Sequence, residues 1–401
     1  MEILIEIYHR LLRERKRPYL RAFYKDFSLD QRLTGIVGAR GIGKTSFLLH
    51  YLEENYAGSD RALYVSADHI YFSSNSLVSL VDQFYKEYDG ELICIDEIHK
   101  YKNWNQELKN IYDSYPKLQI MFSGSSSIDL IKGKYDLSRR ANLRQMSGFS
   151  FREYLEIKTE TSFPVLSLED IVSRNYPQEI LSTSKLTKHF KDYVQQGYYP
   201  IFIELPKYQN YMDSLVNIIE KVIYEDISGF YNLKTTNLDS FKKILYFIAN
   251  SSPGGFSINQ LANSLGKDHT VTADYLEMLR ESGLLRYLLN NKQGHSLIRN
   301  AEKIYFNNSN LTYAINNSIG KETNIGTIRE LFVLSHLGNA GYKVFYAEAG
   351  DIQCEDYIFE IGGKSKKSKQ IKDLENAYLV KDNCLIASSN SIPLYLFGFL
   401  S

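Results

Sequence analysis

The stretch Gly38-Ala39-Arg40-Gly41-Ile42-Gly43-Lys44-Thr45-Ser46 combines three glycines, one lysine and two hydroxyls in nine residues. The spacing Gly38-x-x-x-x-Gly43-Lys44-Thr45 is that of a phosphate-binding loop. Glycines let successive backbone N–H groups turn inward and approach an anion closely. A helix that starts at the lysine offers its positive N-terminal end to the same charge. In such a loop Lys44 reaches the β- and γ-phosphates and the Thr45 hydroxyl holds Mg²⁺. A second pair, Asp96-Glu97, closes the apolar run "LICIDE". Asp96 suits the metal, through water, and Glu97 suits the orientation or deprotonation of an attacking water. Another apolar run ends in "FSGSSS", where Ser123 or Ser125 could touch the γ-phosphate or that water. Farther on, "YDLSRRANL" supplies Arg139 and Arg140, either of which could stabilise charge on a transferring phosphoryl group. The expected chemistry is transfer of a phosphoryl group to water, with ATP and Mg²⁺ as cofactors.

Such groups must be held by regular elements. From Gln31 to beyond Pro116, short apolar runs alternate with helical patterns: "LTGIV", "ALYVSA", "ELICID" and "LQIMFSG". Each run ends at a polar cluster, which predicts a buried parallel sheet with its ligands at the carboxyl ends of the strands. The "LICIDE" strand is expected beside the phosphate loop. The first residues form an amphipathic helical pattern that ends in the charge run "RERKR", a solvated face or a phosphate or partner contact. Residues 158–190 are rich in Thr and Ser and mark a boundary or a helical lid. Residues 239–306 read as a winged helix. Three helical patterns there end at Ser251, Gly266 and Gly283, and "RYLLNNKQGHSLIRNAEKIYF" forms a hairpin wing. The end of the chain reads as a small third α/β unit.

The expected fold class is therefore α/β: a P-loop NTPase parallel-sheet domain, then a winged-helix region and a small nuclease-like α/β domain. The boundaries are 1–157 for the ATPase domain, 158–238 for a helical lid or linker, 239–306 for the winged helix and 307–401 for the last unit. The 401 residues exceed one ordinary core. Lys plus Arg and Asp plus Glu each total 47, so no global basic field draws the chain to nucleic acid or membrane. Three scattered cysteines argue for a reducing compartment and against a zinc site. No apolar run spans a membrane, and Glu2 and Glu6 interrupt the first one, so it is no signal peptide. A cytoplasmic location follows as the expectation.

The segments "GARGIGKTS", "CIDEIHKYKNWNQELKNIYDSYP", "IMFSGSSSIDL" and "DLSRRANLRQMSGFSFREYL" resemble the AAA-type ATPases of bacteria and archaea, from about residue 15 onward. The C-terminal domain of unknown function in those proteins is matched by "VIYEDI", "LRESGLLRYL" and "KIYFNNSNLTYAI". The resemblance implies ATPase activity, with Gly43, Lys44 and Thr45 on nucleotide and Mg²⁺ and with Asp96 and Glu97 serving hydrolysis. It maps the family's Leu-Ser-Gly-Arg arginine to Arg140. Arg139 stands where that pattern has glycine, so either arginine, acting in its own or a neighbouring subunit of a homo-oligomer, fits.

Two later stretches bear on what the ATP is used for. The third helix of the winged-helix region carries Asp274, Glu277 and Glu281 against Arg280, and acidic groups facing phosphates are repelled. DNA contact is expected instead from the wing, through Lys292, His295, Arg299 and Lys303, or from "KSKKSKQIK" at 364–372, with its five lysines. The last unit carries Glu330, Asp351, Glu360 and Lys364 in the order of restriction-endonuclease-like nucleases. Their glutamate and lysine normally sit two residues apart, about 6.6 Å along a strand. Here the separation is four, with Gly362 in the lysine's place. The expectation is a nuclease-like fold whose lysines neutralise its carboxylates, with ATP-regulated cleavage as the alternative.

Overall fold

Strands β1 (Leu33–Val37), β2 (Ala62–Ser66), β3 (Leu92–Asp96) and β4 (Gln119–Gly124) are almost wholly buried, as continuous apolar runs in a covered parallel sheet must be. A fifth strand, β5 (Ala141–Gln145), has no apolar run to announce it; "ANLRQ" is only half-buried because it lies on the sheet edge. All pairings are parallel, in the order β2-β3-β4-β1-β5. The computed structural model describes residues 1–15, 19–124, 137, 139–255, 257–291, 301–367, 370–386 and 390–401.

Among the described residues, five α-helices accompany this sheet: α1 (Glu2–Glu14), α2 (Ala22–Lys25), α3 (Lys44–Tyr56), α4 (Leu77–Glu87) and α5 (Trp104–Ser114). α4 shows how such a helix is specified. Leu77, Leu80, Val81 and Phe84 recur at helical spacing and are buried, while the Ser76 side chain caps the first turn by accepting from Ser79 N. α1 buries Leu4 and Tyr8, and Arg15, within the charge run, pairs with Glu53 of α3 at 2.8 Å.

The chain divides into two compact units, Met1–Ser147 and Gly148–Ser401. The second unit begins with α6 (Phe151–Thr159), α7 (Leu168–Ser173), α8 (Gln178–Ser182), α9 (Leu186–Gln196) and α10 (Tyr208–Lys221). The "VIYEDI" stretch continues α10 as a π-helix, Val222–Ile227, into α11 (Ser228–Tyr231). Three helices follow: α12 (Thr235–Asn250), α13 (Ile258–Leu265) and α14 (His269–Glu281). The hairpin after them is β6 (Leu285–Leu289) and β7 (Ala301–Phe306).

That hairpin does not stand apart from the C-terminal unit. With β8 (Val344–Tyr346), β9 (Ile352–Cys354), β10 (Tyr357–Gly362), β11 (Ala377–Lys381) and β12 (Ser391–Pro393) it forms one seven-stranded sheet, ordered β12-β11-β10-β9-β8-β6-β7. The join is the parallel pairing of Leu289 in β6 with Phe345 in β8. Helices α15 (Ser309–Ser318) and α16 (Ile325–Asn339) lie between the hairpin and β8 in sequence. No helix among the described residues is long and apolar enough to cross a membrane.

Candidate active site

The loop 38–43 connects the carboxyl end of β1 to the first turn of α3, so that Lys44 is the first helical residue. Gly41 and Gly43 have φ of 84° and 99°, a left-handed conformation that a side chain would strain. Gly38 is required for a different reason: a Cβ there would lie 2.2 Å from the Met146 carbonyl oxygen. The chain must pass that backbone closely before it turns. Ala39 and Arg40 are half-buried, Gly41 exposed and Ile42 buried. Lys44 is buried, and its ammonium reaches back over the loop to the carbonyls of Gly38 (2.9 Å) and Ala39 (3.1 Å). Thr45 is exposed and Ser46 half-buried at the start of the helix.

The sheet order corrects one expectation, because β4 separates β3 from β1. The two motifs meet nonetheless, since the parallel registers bring the strand ends level: Ile36 is opposite Ser123, and Ile95 opposite Phe122. Asp96, buried at the end of β3, accepts from the Thr45 hydroxyl at 2.6 Å and from the Ser123 hydroxyl. Ser123 also accepts from the Glu97 backbone N–H at 3.1 Å, so it ties both acidic residues to β4. Ser125 lies outside the described residues.

Three participants carry no mark in the sequence. The Tyr64 hydroxyl, on β2, donates to the same Asp96 oxygen as Thr45, at 2.8 Å. Burial first, and then the Asp96 charge, hold this phenol well above its usual range, so it remains a donor. Buried Arg21 donates to the Ile42 carbonyl at 3.2 Å and braces the loop from outside. His99, 5% exposed, places Nε2 3.3 Å from a Glu97 carboxylate oxygen. A tyrosine in a strand reads as core, an arginine before a helix as surface, and a histidine in a charged stretch as solvated.

Glu97 itself sits at φ 51°, a left-handed conformation that costs a non-glycine residue about 1 kcal/mol or more. Residues held in such strain are commonly functional. The arginines lie elsewhere. They precede β5, whose Ala141 is level with Leu33, the first residue of β1. With Arg140 level with position 32, six residues before Gly38, they are displaced from the phosphate loop by about 20 Å along the strand direction. Arg140 pairs with Asp113 of α5 at 3.1 Å, while Arg139 is exposed.

The residues expected to meet DNA are distributed differently from the expectation. Lys292, His295 and Arg299 fall outside the described residues. Lys303, on β7, turns inward to Glu330 (2.7 Å) and Asp351 (3.4 Å). Burial alone would lower its pKa, but those two carboxylates outweigh it and hold the amine above the usual lysine range. Tyr305 donates to Glu330 at 2.6 Å and the Ile361 N–H to Asp351 at 2.8 Å. Glu360, 1% exposed, pairs with Lys366 at 2.6 Å rather than with Lys364, which is exposed. Arg280 of α14 is clamped on Glu277 at 2.5 and 3.0 Å.

Comparison with known proteins agrees on the first unit. A family model described as an AAA domain matches residues 30–155, and a domain of unknown function (DUF8612) matches residues 187–322. An uncharacterized protein of Methanocaldococcus jannaschii is 25% identical over 390 residues, which cover 90% of this chain and 80% of that one. Among solved structures, AMPPCP-bound DnaA from Aquifex aeolicus is 16% identical, covering 70% of this chain and 87% of that one at a TM-score of 0.26. A self-assembling katanin is also 16% identical, covering 48% and 76% at 0.25. Scores this low carry no functional weight. The sheet order, the glycine loop and the Thr45–Asp96–Ser123 contact all lie within residues 30–155, the stretch that matches the AAA-domain model.

Proposed function

We propose that this protein is a Mg²⁺-dependent ATPase. The observation that carries the reading is the meeting of Thr45, Asp96 and Ser123 at the mouth of the Gly38–Thr45 loop. The donor set suits Mg²⁺: one hydroxyl and one carboxylate leave the other positions to water and to nucleotide phosphates. When bound, the ion neutralises charge on the β- and γ-oxygens. Lys44 binds those same phosphates, and the loop N–H groups surround them. Ser123 and Tyr64 hold the Asp96 carboxylate in one orientation. Glu97 accepts a proton from the attacking water, with His99 behind it.

Given their distance from the loop of their own chain, Arg139 and Arg140 fit a neighbouring subunit's nucleotide in a homo-oligomer. The test is steady-state ATP hydrolysis on protein of known mass, across a range of concentrations, with and without single- and double-stranded DNA. Mg²⁺-dependent turnover that rises per subunit with concentration is the expected result. No hydrolysis would end the ATPase reading. A concentration-independent rate on a stable monomer would remove the shared arginine.

We take the hydrolysis to gate the handling of nucleic acid, so DNA should raise the turnover. A switch in signalling or assembly is the second reading, supported by the acidic α14, whose Arg280 is engaged by Glu277.

For the C-terminal carboxylates we propose a nuclease-like arrangement without catalysis. Lys303 bridges Glu330 and Asp351, and Lys366 holds Glu360, so two ammonium groups offset most of the three carboxylate charges that would attract a divalent cation. Incubation with plasmid and Mg²⁺ or Mn²⁺ should leave the DNA intact. Cutting that disappears in Asp351→Ala would make the protein an ATP-regulated nuclease.

A further inference from the structure

With Lys303 and Lys366 engaged, one further group of exposed cations stands near the start of the second unit. Lys185, at the N-cap of α9, and Lys188 and Lys191 along it follow one another a turn apart. All three are exposed, as is Lys158 on α6, and none of the four forms an ion pair among the described residues. Lys158 and Lys188 border a cavity of about 410 Å³ that also takes in Tyr154, Phe202, Pro206 and Tyr208. The Lys158 ammonium stands 5.5 Å from the Tyr154 ring centre and 5.1 Å from that of Phe202. Gln195 lines both this cavity and a second one of about 370 Å³, where Lys191 lies beside Phe190 and Phe332. His189 reports how close these charges are. Burial first lowers its pKa, Asp192 partly offsets that, and Lys158, Lys188 and Lys185 lower it further.

A row of unpaired ammonium groups attracts a polyanion. The neighbouring aromatic surface narrows the choice, because the Tyr208 ring is 38% exposed at the cavity edge. A duplex can offer phosphates to the lysines but hides the faces of its bases, and an acidic peptide has no such faces. We propose that Lys158, Lys185, Lys188, Lys191 and Tyr208 form a binding surface for single-stranded nucleic acid, with phosphates on the lysines and a base stacked on Tyr208. This deepens the nucleic-acid part of the proposed function and is independent of the catalytic residues.

The probe is a fluorescently labelled dT20, titrated into the full chain without nucleotide at several salt concentrations. Four phosphate contacts on a single strand give a log–log salt slope of about −2.8, since each contributes about −0.7. The triple variant Lys185→Gln, Lys188→Gln, Lys191→Gln should bind at least about tenfold more weakly, with a slope near −0.7, roughly one remaining contact. Tyr208→Ala should cost about tenfold and Tyr208→Phe nothing, as stacking requires the ring and not the hydroxyl. ATP hydrolysis without DNA should be unchanged in every variant. The surface is wrong if the triple variant binds dT20 like the parent chain, or if Tyr208→Ala is silent. Equal affinity for polyglutamate would point instead to an acidic protein partner and overturn the proposal. If DNA still stimulates ATP turnover in the triple variant, the proposed function survives and only this surface falls. If no DNA binds or stimulates in any form, this surface and the nucleic-acid part of the proposed function both fall.

Discussion

Lys44→Ala should abolish tight ATP binding. The Lys44 ammonium is buried at the helix start and curves over the loop toward the Gly38 and Ala39 carbonyls, so it is already aimed at the volume the loop encloses. The loop's N–H groups are neutral, whereas Lys44 brings a full positive charge that can follow the β- and γ-phosphates. Charge-assisted hydrogen bonds contribute about 1.5–3 kcal/mol each, so losing two weakens the Kd by about 100-fold or more. Titration of a fluorescent ATP analogue, alongside circular dichroism to show an unchanged fold, measures this. Affinity equal to that of the parent chain would refute the phosphate-loop assignment.

Glu97→Gln should separate binding from turnover. The amide keeps the shape of the side chain and can still face His99, but it cannot accept a proton from water at neutral pH. General-base catalysis contributes about 10²–10⁴-fold, so kcat should fall by that factor while the Kd for ATP stays within about threefold. Single-turnover hydrolysis next to equilibrium binding resolves the two. Asp96 and its three hydroxyl donors, Thr45, Tyr64 and Ser123, are untouched by this substitution, so the Mg²⁺ requirement should persist. Hydrolysis at the parental rate would show that another group activates the water.

The first unit is legible in the sequence because its signals are local. Four strands of the first sheet are apolar runs ended by polar clusters, and the glycine loop is read from eight consecutive positions. The fifth strand escaped because an edge position asks for no apolar residues. The insertion of β4 between β3 and β1 is a matter of strand order, which no run of residues encodes. Tyr64 and Arg21 act through contacts across 32 and 21 positions of sequence and carry no motif. Lys303 was misread for a related reason. It stands in a hairpin that looks like a free wing, and only the pairing of Leu289 with Phe345 reveals that the hairpin borders the C-terminal strands. A lysine in that position faces carboxylates rather than a duplex.

The bridge from Lys303 to Glu330 and Asp351 also bears on how this region can change over evolutionary time. Replacing either carboxylate leaves the amine with less compensation, and replacing the amine leaves two partly buried acids facing each other. Each residue thus makes the others harder to lose, and drift must proceed through paired changes. In relatives of this protein, persistence of Glu330 and Asp351 would then record mutual charge balance. Their retention would be selected even in lineages that never cut a phosphodiester bond.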